Sequence, residues 1–222
     1  MSKLYLVPTP VGNLEDITYR AVRILNEVDI ILAEDTRKTA ILLKKYLITK
    51  KLRSYHKFNE HKATEKVLQL LLDGTKVALV SNAGTPGISD PGYLLVRECM
   101  KKNIDIEVLP GPTALIPALV ISGIPCDRFV FEGFLPVKKG RNKRLSELSN
   151  ETRTMVIYES PHRIRKTLSE LSEILGEPRK AAVIRELTKI HEEIIHGTLG
   201  SLLEQLNNII PKGEIVLVVE GK

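Results

Sequence analysis

Six short stretches of this chain concentrate glycine, proline, hydroxyl and charged side chains: residues 8–13, 34–37, 81–92, 110–114, 159–163 and 186–189. Glycine lets backbone approach a bound molecule closely, and proline leaves a loop with little freedom to lose. Any one such stretch could be an ordinary turn. Residues 81–92, SNAGTPGISDPG, exceed that: twelve positions hold three Gly, two Pro, two Ser, a Thr, an Asn and an Asp. Long loops in compact domains are usually functional. One of the six, Glu34-Asp35-Thr36-Arg37, and a further stretch, His56-Lys57-Phe58-Asn59-Glu60, carry groups able to move a proton or hold an anion.

Several chemistries are absent. There is no GxxxxGK[ST], no GxGxxG after the first apolar run, and no HExxH or Cys/His cluster. His56 and His61 are five apart and straddle a predicted helix start, so no metal site is expected. Cys99 and Cys126 have no CxxC partner and read as reduced, buried, small apolar residues.

The stretches punctuate an alternation of short apolar runs and amphipathic segments. Strands are predicted at 4–7, 29–33, 52–55, 76–80, 106–109, 129–132, 154–158, 181–185 and 214–220, with a further antiparallel strand within 191–197. Helices fall between most of them. One runs over 60–73 around Leu68, Leu71 and Leu72; another carries Ile164, Leu168, Leu171, Ile174 and Leu175 at helical spacing. Alternation of this kind predicts an α/β fold with mostly parallel sheets. Leu109-Pro110-Gly111-Pro112 can continue neither strand nor helix, so two α/β domains are expected, 1–111 and 112–222, with a cleft between them. In such sheets the loops gather beyond the carboxyl ends of the strands, where ligands bind.

With 43% hydrophobic residues the chain can bury real cores, and it has no apolar run of membrane-spanning length. The opening MSKLYLVPTPVGN lacks signal-peptide features, so a cytoplasmic protein is expected. The net charge of +6 is partly clustered: Lys138, Lys139, Arg141, Lys143 and Arg144 fall within seven positions without an acid. Such a run is either a solvated loop or a phosphate-contacting arm. Phe129, Phe131 and Phe134 lie just upstream and read better as strand core than as base-stacking residues.

The blocks VPTPVGNLEDIT, AEDTRKT, YHKFNEH, SNAGTPGISDPG, LPGPTALIPAL, FEGFLP, ESPHR, RELTKIHEE and KGEIVLVVEG run in order from Leu4 to Gly221. They resemble the successive motifs of the ribosomal RNA small-subunit methyltransferase I family, within the tetrapyrrole methylase superfamily. The resemblance implies S-adenosylmethionine bound between two α/β domains, and a homodimer. It places the methionine end of the cofactor against Ala83, Gly84, Thr85 and Ile88, with Pro10, Val11 and Gly12 closing the site. Thr113 and Ala114 contact the cofactor from the next helix start. Tyr158, Glu159, Leu187 and Thr188 supply much of an adenosine pocket. Tetrapyrrole-modifying relatives usually show GDP where this chain has Gly84-Thr85-Pro86, which favours the RNA branch.

The activity implied is 2′-O-ribose methylation of a cytidine in 16S rRNA. A ribose hydroxyl is a poor nucleophile at neutral pH, so the acceptor side needs alignment and help in removing a proton. Arg37 is expected to hold a substrate phosphate or orient a carboxylate, and Asp35, His56 or Glu60 to assist deprotonation. The plainer readings are an Asp35–Arg37 structural ion pair and a helix-start carboxylate at Glu60. Beside a methyl-donor site, Lys138, Lys139, Arg141, Lys143 and Arg144 read as RNA contacts. The alternatives are methylation of a tetrapyrrole or other small acceptor, and a non-enzymatic ribosome-binding protein on a methylase fold.

Overall fold

The computed structural model describes residues 2–207 and 212–222. The chain divides into two compact units, Met1–Thr113 and Ala114–Lys222.

The first unit is a five-stranded parallel sheet ordered β3-β2-β4-β1-β5. Its strands are β1 (Leu4–Val7), β2 (Ile30–Ala33), β3 (Lys51–Ser54), β4 (Val77–Val80) and β5 (Ile106–Val108). The inner strands LYLV, IILA and VALV are nearly all apolar because helices cover both faces. The edge strand β3 reads KLRS, whose charges blunt an open edge. Helices α3 (Glu60–Leu72) and α4 (Tyr93–Lys101) cover one face, packing Leu68, Leu71, Leu95 and Cys99 onto Leu4, Leu32 and Leu79. Helices α1 (Tyr19–Glu27) and α2 (Thr36–Lys45) cover the other, over Val7, Ile31 and Ala78. Thr18 caps α1 by accepting from Ala21 N–H at 3.0 Å, and Asp35 caps α2.

The second unit holds β6 (Phe129–Phe134), β7 (Thr154–Glu159), β8 (Lys180–Arg185), β9 (Glu193–Thr198) and β10 (Ile215–Val219), ordered β6-β7-β10-β8-β9. Here pairing differs from the parallel expectation. Only β6–β7 is parallel; β10 runs antiparallel to both neighbours, and β8–β9 is antiparallel. The short link between β8 and β9 has no room for the crossover that a parallel pair needs. Helices α6 (Arg141–Leu148), α7 (Ile164–Leu175) and α8 (Leu199–Gln205) cover one face, and α5 (Leu115–Ile121) lies on the other.

Cys99 is fully buried, and desolvation pushes its thiol up to about 11. Cys126 is exposed, against the expectation that both cysteines are buried, because it lies in the segment between α5 and β6 rather than on a core face. Among the described residues no helix is long and apolar enough to cross a membrane.

Candidate active site

Because the first sheet is parallel, the loops after β3, β2, β4 and β1 emerge side by side at one edge. Thr9 and Gly84 exchange main-chain hydrogen bonds of 3.0 and 2.8 Å, which pin the first loop to the long fourth one. Ser81 Oγ donates to Gly84 O at 2.8 Å, and Thr9 Oγ1 donates to Ser81 O at 3.0 Å. Thr85 Oγ1 donates to Pro112 O at 3.4 Å, so Ala83, Gly84 and Thr85 lie beside the turn that delivers Thr113. Pro10 is buried, Val11 is half-buried, and Gly12 and Ile88 are exposed. Gly84 has φ +78°, and a Cβ there would meet only Pro112 O and Thr113 Cα, both at 3.8 Å. The glycine is therefore demanded by its left-handed backbone rather than by lack of room.

A cavity of about 70 Å³ opens among these loops, lined in part by Thr9, Pro10, Lys38, Ser81 and Asn82. Asn82 ties two loops together. Its Oδ1 accepts from Asp35 N–H at 3.2 Å and its Nδ2 donates to Glu34 Oε2 at 2.7 Å. Sequence reasoning passed over Lys38 and Asn82 as site residues. Their position inside the AEDTRKT and SNAGTPGISDPG blocks was the available signal.

The acceptor-side candidates separate by geometry. Asp35 accepts from Arg37 Nε and Nη2 at 3.1 and 2.9 Å and from Arg37 N–H at 2.9 Å. The Arg37 side chain, then its main-chain N–H, lowers the Asp35 carboxyl to about 2. A group so acidic is a weak proton acceptor, and it fits orienting Arg37 better than deprotonating a hydroxyl. Arg37 itself is 90% exposed, which leaves the outer edge of its guanidinium open to an anion. His56 Nδ1 accepts from Phe58 N–H at 3.2 Å, so its neutral form carries the proton on Nε2. Glu60 opens α3 and is half-buried, and among the described residues its side chain makes no hydrogen bond or ion pair.

In the second unit, Ala114, Tyr158 and Leu187 share one apolar cluster beneath α5. Glu186 (φ 51°) and Thr188 (φ 63°) both hold left-handed backbone on either side of Leu187. Strained non-glycine residues of this kind gather at ligand sites. Glu159 faces the opposite side of the sheet. Its carboxylate is buried and accepts from Ser160 N–H at 2.8 Å, Thr167 Oγ1 at 2.7 Å and Arg163 Nη2 at 3.0 Å. Strand alternation makes this unavoidable: Met155, Ile157 and Glu159 share one face and Tyr158 the other. The expectation that Glu159 joins Tyr158 in an adenosine pocket is corrected for the Glu159 side chain, which is a structural anchor.

The basic run spans the turn before α6 and the first turn of that helix: Lys138 and Lys139 precede it, and Arg141, Lys143 and Arg144 lie in it. Lys138, Lys139 and Lys143 are exposed. Arg141 is buried, donating to Glu170 Oε2 from Nε and Nη2 at 2.8 and 2.6 Å, to Thr167 Oγ1 at 2.8 Å and to Pro136 O at 3.0 Å. It cannot reach a phosphate, because all its donors point into the fold, and its reading as an RNA contact is corrected. Arg144 is half-exposed and held by Glu132 and Glu147. Phe131 packs in the core, whereas Phe134 is 55% exposed and lines a cavity of about 510 Å³ with Lys143 and Arg144. Among the described residues no three His, Cys, Asp or Glu side chains are grouped to hold a metal ion.

Comparison with known proteins agrees with this architecture. The family model described as Tetrapyrrole (Corrin/Porphyrin) Methylases matches residues 3–203. A solved uroporphyrin-III C-methyl transferase from Thermus thermophilus, complexed with S-adenyl homocysteine, superimposes with a TM-score of 0.69 at 20% identity. That match covers 99% of this chain and 97% of the other. Ribosomal RNA small subunit methyltransferase I from Thermotoga maritima is 48% identical over 222 residues, covering all of both chains. The Synechocystis protein of the same name is 50% identical over 222 residues, all of this chain and 80% of its own. The chain belongs to the tetrapyrrole methylase family and, within it, to the ribosomal RNA small subunit methyltransferase I group.

Proposed function

We propose that this chain methylates small-subunit ribosomal RNA in the cytoplasm, using S-adenosylmethionine, on the ribose 2′-hydroxyl of a cytidine. The observation that carries the reading is the end-to-end match to relatives of that name at 48 and 50% identity. The loops fit the cofactor's chemistry. In the first unit, the Thr9–Gly84 bridge fixes the backbone of Ala83, Gly84 and Thr85 as a surface on which a polar amino-acid moiety can lie, with Pro10, Val11, Gly12, Ile88 and Thr113 as its further contacts. In the second, Ala114, Tyr158 and Leu187 offer an apolar surface for adenine, with the left-handed Thr188 next to Leu187 in the chain.

When bound, S-adenosylmethionine supplies a methyl group already activated by a sulfonium. The protein's own tasks are to place the acceptor hydroxyl in line and to take one proton. Arg37, oriented by Asp35, holds a substrate phosphate. Glu60 is the acceptor-side carboxylate free to take the proton, and His56 donates from Nε2 to the substrate. Lys138, Lys139 and Lys143, with the outer edge of Arg144, contact RNA phosphates. The active form is a homodimer, which sedimentation at micromolar concentration tests directly.

The deciding assay is methyl transfer from labelled cofactor to small ribosomal subunits, with a porphyrinogen in parallel. Label on RNA, at a linkage that resists alkaline cleavage, is the expected outcome. Transfer to the porphyrinogen would move the chain to the small-acceptor branch, and label on a base would remove the ribose assignment.

A further inference from the structure

The turn between β3 and α3 is closed on itself by five hydrogen bonds. Asn59 Oδ1 accepts from His56 N–H at 2.8 Å, and Asn59 Nδ2 donates to Ser54 O at 3.2 Å. The main-chain N–H groups of Asn59 and Glu60 both donate to His56 O at 2.9 Å. His56 Nδ1 accepts from Phe58 N–H at 3.2 Å. The adjoining Tyr55 is fully buried and its OH pairs with Thr64 Oγ1 at 3.0 Å, so the turn is anchored at its base.

On this fixed turn sits Phe58, with 94% of its surface exposed. Its ring stands edge-to-face with the His56 imidazole, at 6.0 Å between centroids and 65° between planes. A phenyl ring has no polar tip that would draw it into water, unlike the equally exposed Tyr19. The turn holds the ring outward, away from the core that Tyr55 and Val67 occupy. Lys57, His61 and Lys62 are its near neighbours along the chain and are exposed. The turn also lies at the carboxyl edge of the sheet, with β3 next to β2, whose loop carries the exposed Arg37. An exposed aromatic plate on a closed turn, with two exposed lysines close by in the chain, matches single-stranded nucleic acid, where bases stack on rings and phosphates follow positive charge.

We propose that Phe58 is a stacking plate for an unpaired base of the RNA substrate, flanking the nucleotide that is methylated, with Lys57 and Lys62 on the adjoining phosphates. The assignment rests on the rRNA reading above. A phenyl ring stacks on any base, so its contribution is to hold the strand rather than to read its sequence.

The chain has no tryptophan, so Phe58→Trp introduces a single indole reporter. Its emission should be quenched by a single-stranded RNA oligonucleotide and not by the corresponding duplex. Phe58→Ala should weaken binding of that oligonucleotide about 5- to 100-fold. It should raise KM for small subunits by a similar factor while leaving kcat and cofactor affinity near wild type, and Phe58→Tyr should restore KM. Removing an exposed ring leaves no core cavity, so thermal unfolding of Phe58→Ala should match the parent. Unquenched emission, or a wild-type KM in Phe58→Ala, overturns the assignment. So does conversion of a dimer to a monomer by Phe58→Ala, which would make the ring a self-association contact. If the unmodified chain transfers methyl groups to small subunits normally while these tests fail, only the Phe58 assignment falls. If the unmodified chain does not transfer at all, the rRNA reading falls with it.

Discussion

Replacing Arg141 by Ala separates a buried polar network from an RNA-binding surface. The guanidinium, 4% exposed, makes four hydrogen bonds to Glu170, Thr167 and Pro136, and Thr167 in turn donates to Glu159. Its removal leaves the Pro136 carbonyl without that donor and Glu170 with the more distant Lys166 Nζ, at 3.8 Å. Breaking a buried ion pair destabilises by about 3–5 kcal/mol. Glu170 keeps 23% of its side-chain surface in water, so its abandoned charge can be hydrated and the loss falls at the low end, about 3 kcal/mol. For a chain of this length that is a drop in Tm of about 6–12 °C. Thermal and urea unfolding followed by circular dichroism measure it, with RNA binding titrated against salt in parallel. Changing Lys138, Lys139 and Lys143 to Ser should do the reverse, flattening the salt dependence of RNA binding and leaving Tm in place. An Arg141→Ala variant that unfolds like the parent but loses RNA affinity would refute the reasoning.

Glu159→Gln keeps the shape of a buried carboxylate but drops its charge; it should destabilise by about 1.5–3 kcal/mol while cofactor affinity by calorimetry stays near wild type. Glu60→Gln should slow single-turnover methyl transfer about 100-fold or more without weakening cofactor binding, and an unchanged rate would move the base elsewhere. Asp35 titrates near 2 in the fold against 3.8 as the ordinary value, so the unfolded chain takes up more protons as pH falls through that window. The stability Asp35 contributes is thus complete above 3.8 and lost towards 2; acid titration of Asp35→Asn should show a shallower fall in unfolding free energy there, and an identical slope would count against the Arg37 pairing.

The first unit was legible because its strands are buried on both faces, and LYLV, IILA and VALV read as unbroken apolar runs. The second was legible as elements but not as pairing. An apolar run such as IVLVV does not state its direction, and nothing local says that β10 slips between β7 and β8. The candidate site divides in the same way. Loop composition pointed to the carboxyl edge of the first sheet, where these loops emerge together, but burial of single charges was hidden. Arg141 stands at i, i+4 and i+7 with Leu145 and Leu148, a stripe that marks it as inward-facing despite its charge. Glu159 was betrayed by parity with Met155 and Ile157, which fixes the opposite face from Tyr158. Asn82 and the closed His56–Asn59 turn depend on hydrogen bonds that residue types alone do not announce.

The order β3-β2-β4-β1-β5 sets a timetable for synthesis. β1 finds its partners only in β4 and β5, so Leu4 must wait for Val77 and then Ile106 to emerge before it can pair. At ordinary translation rates that delay is on the order of ten seconds, during which LYLV has no neighbour in its own sheet. β2 is relieved sooner, since β3 follows it directly and supplies one edge. β1 therefore stays unpaired for longer than any other strand of the first unit, and its folding is gated by chain length rather than by local propensity.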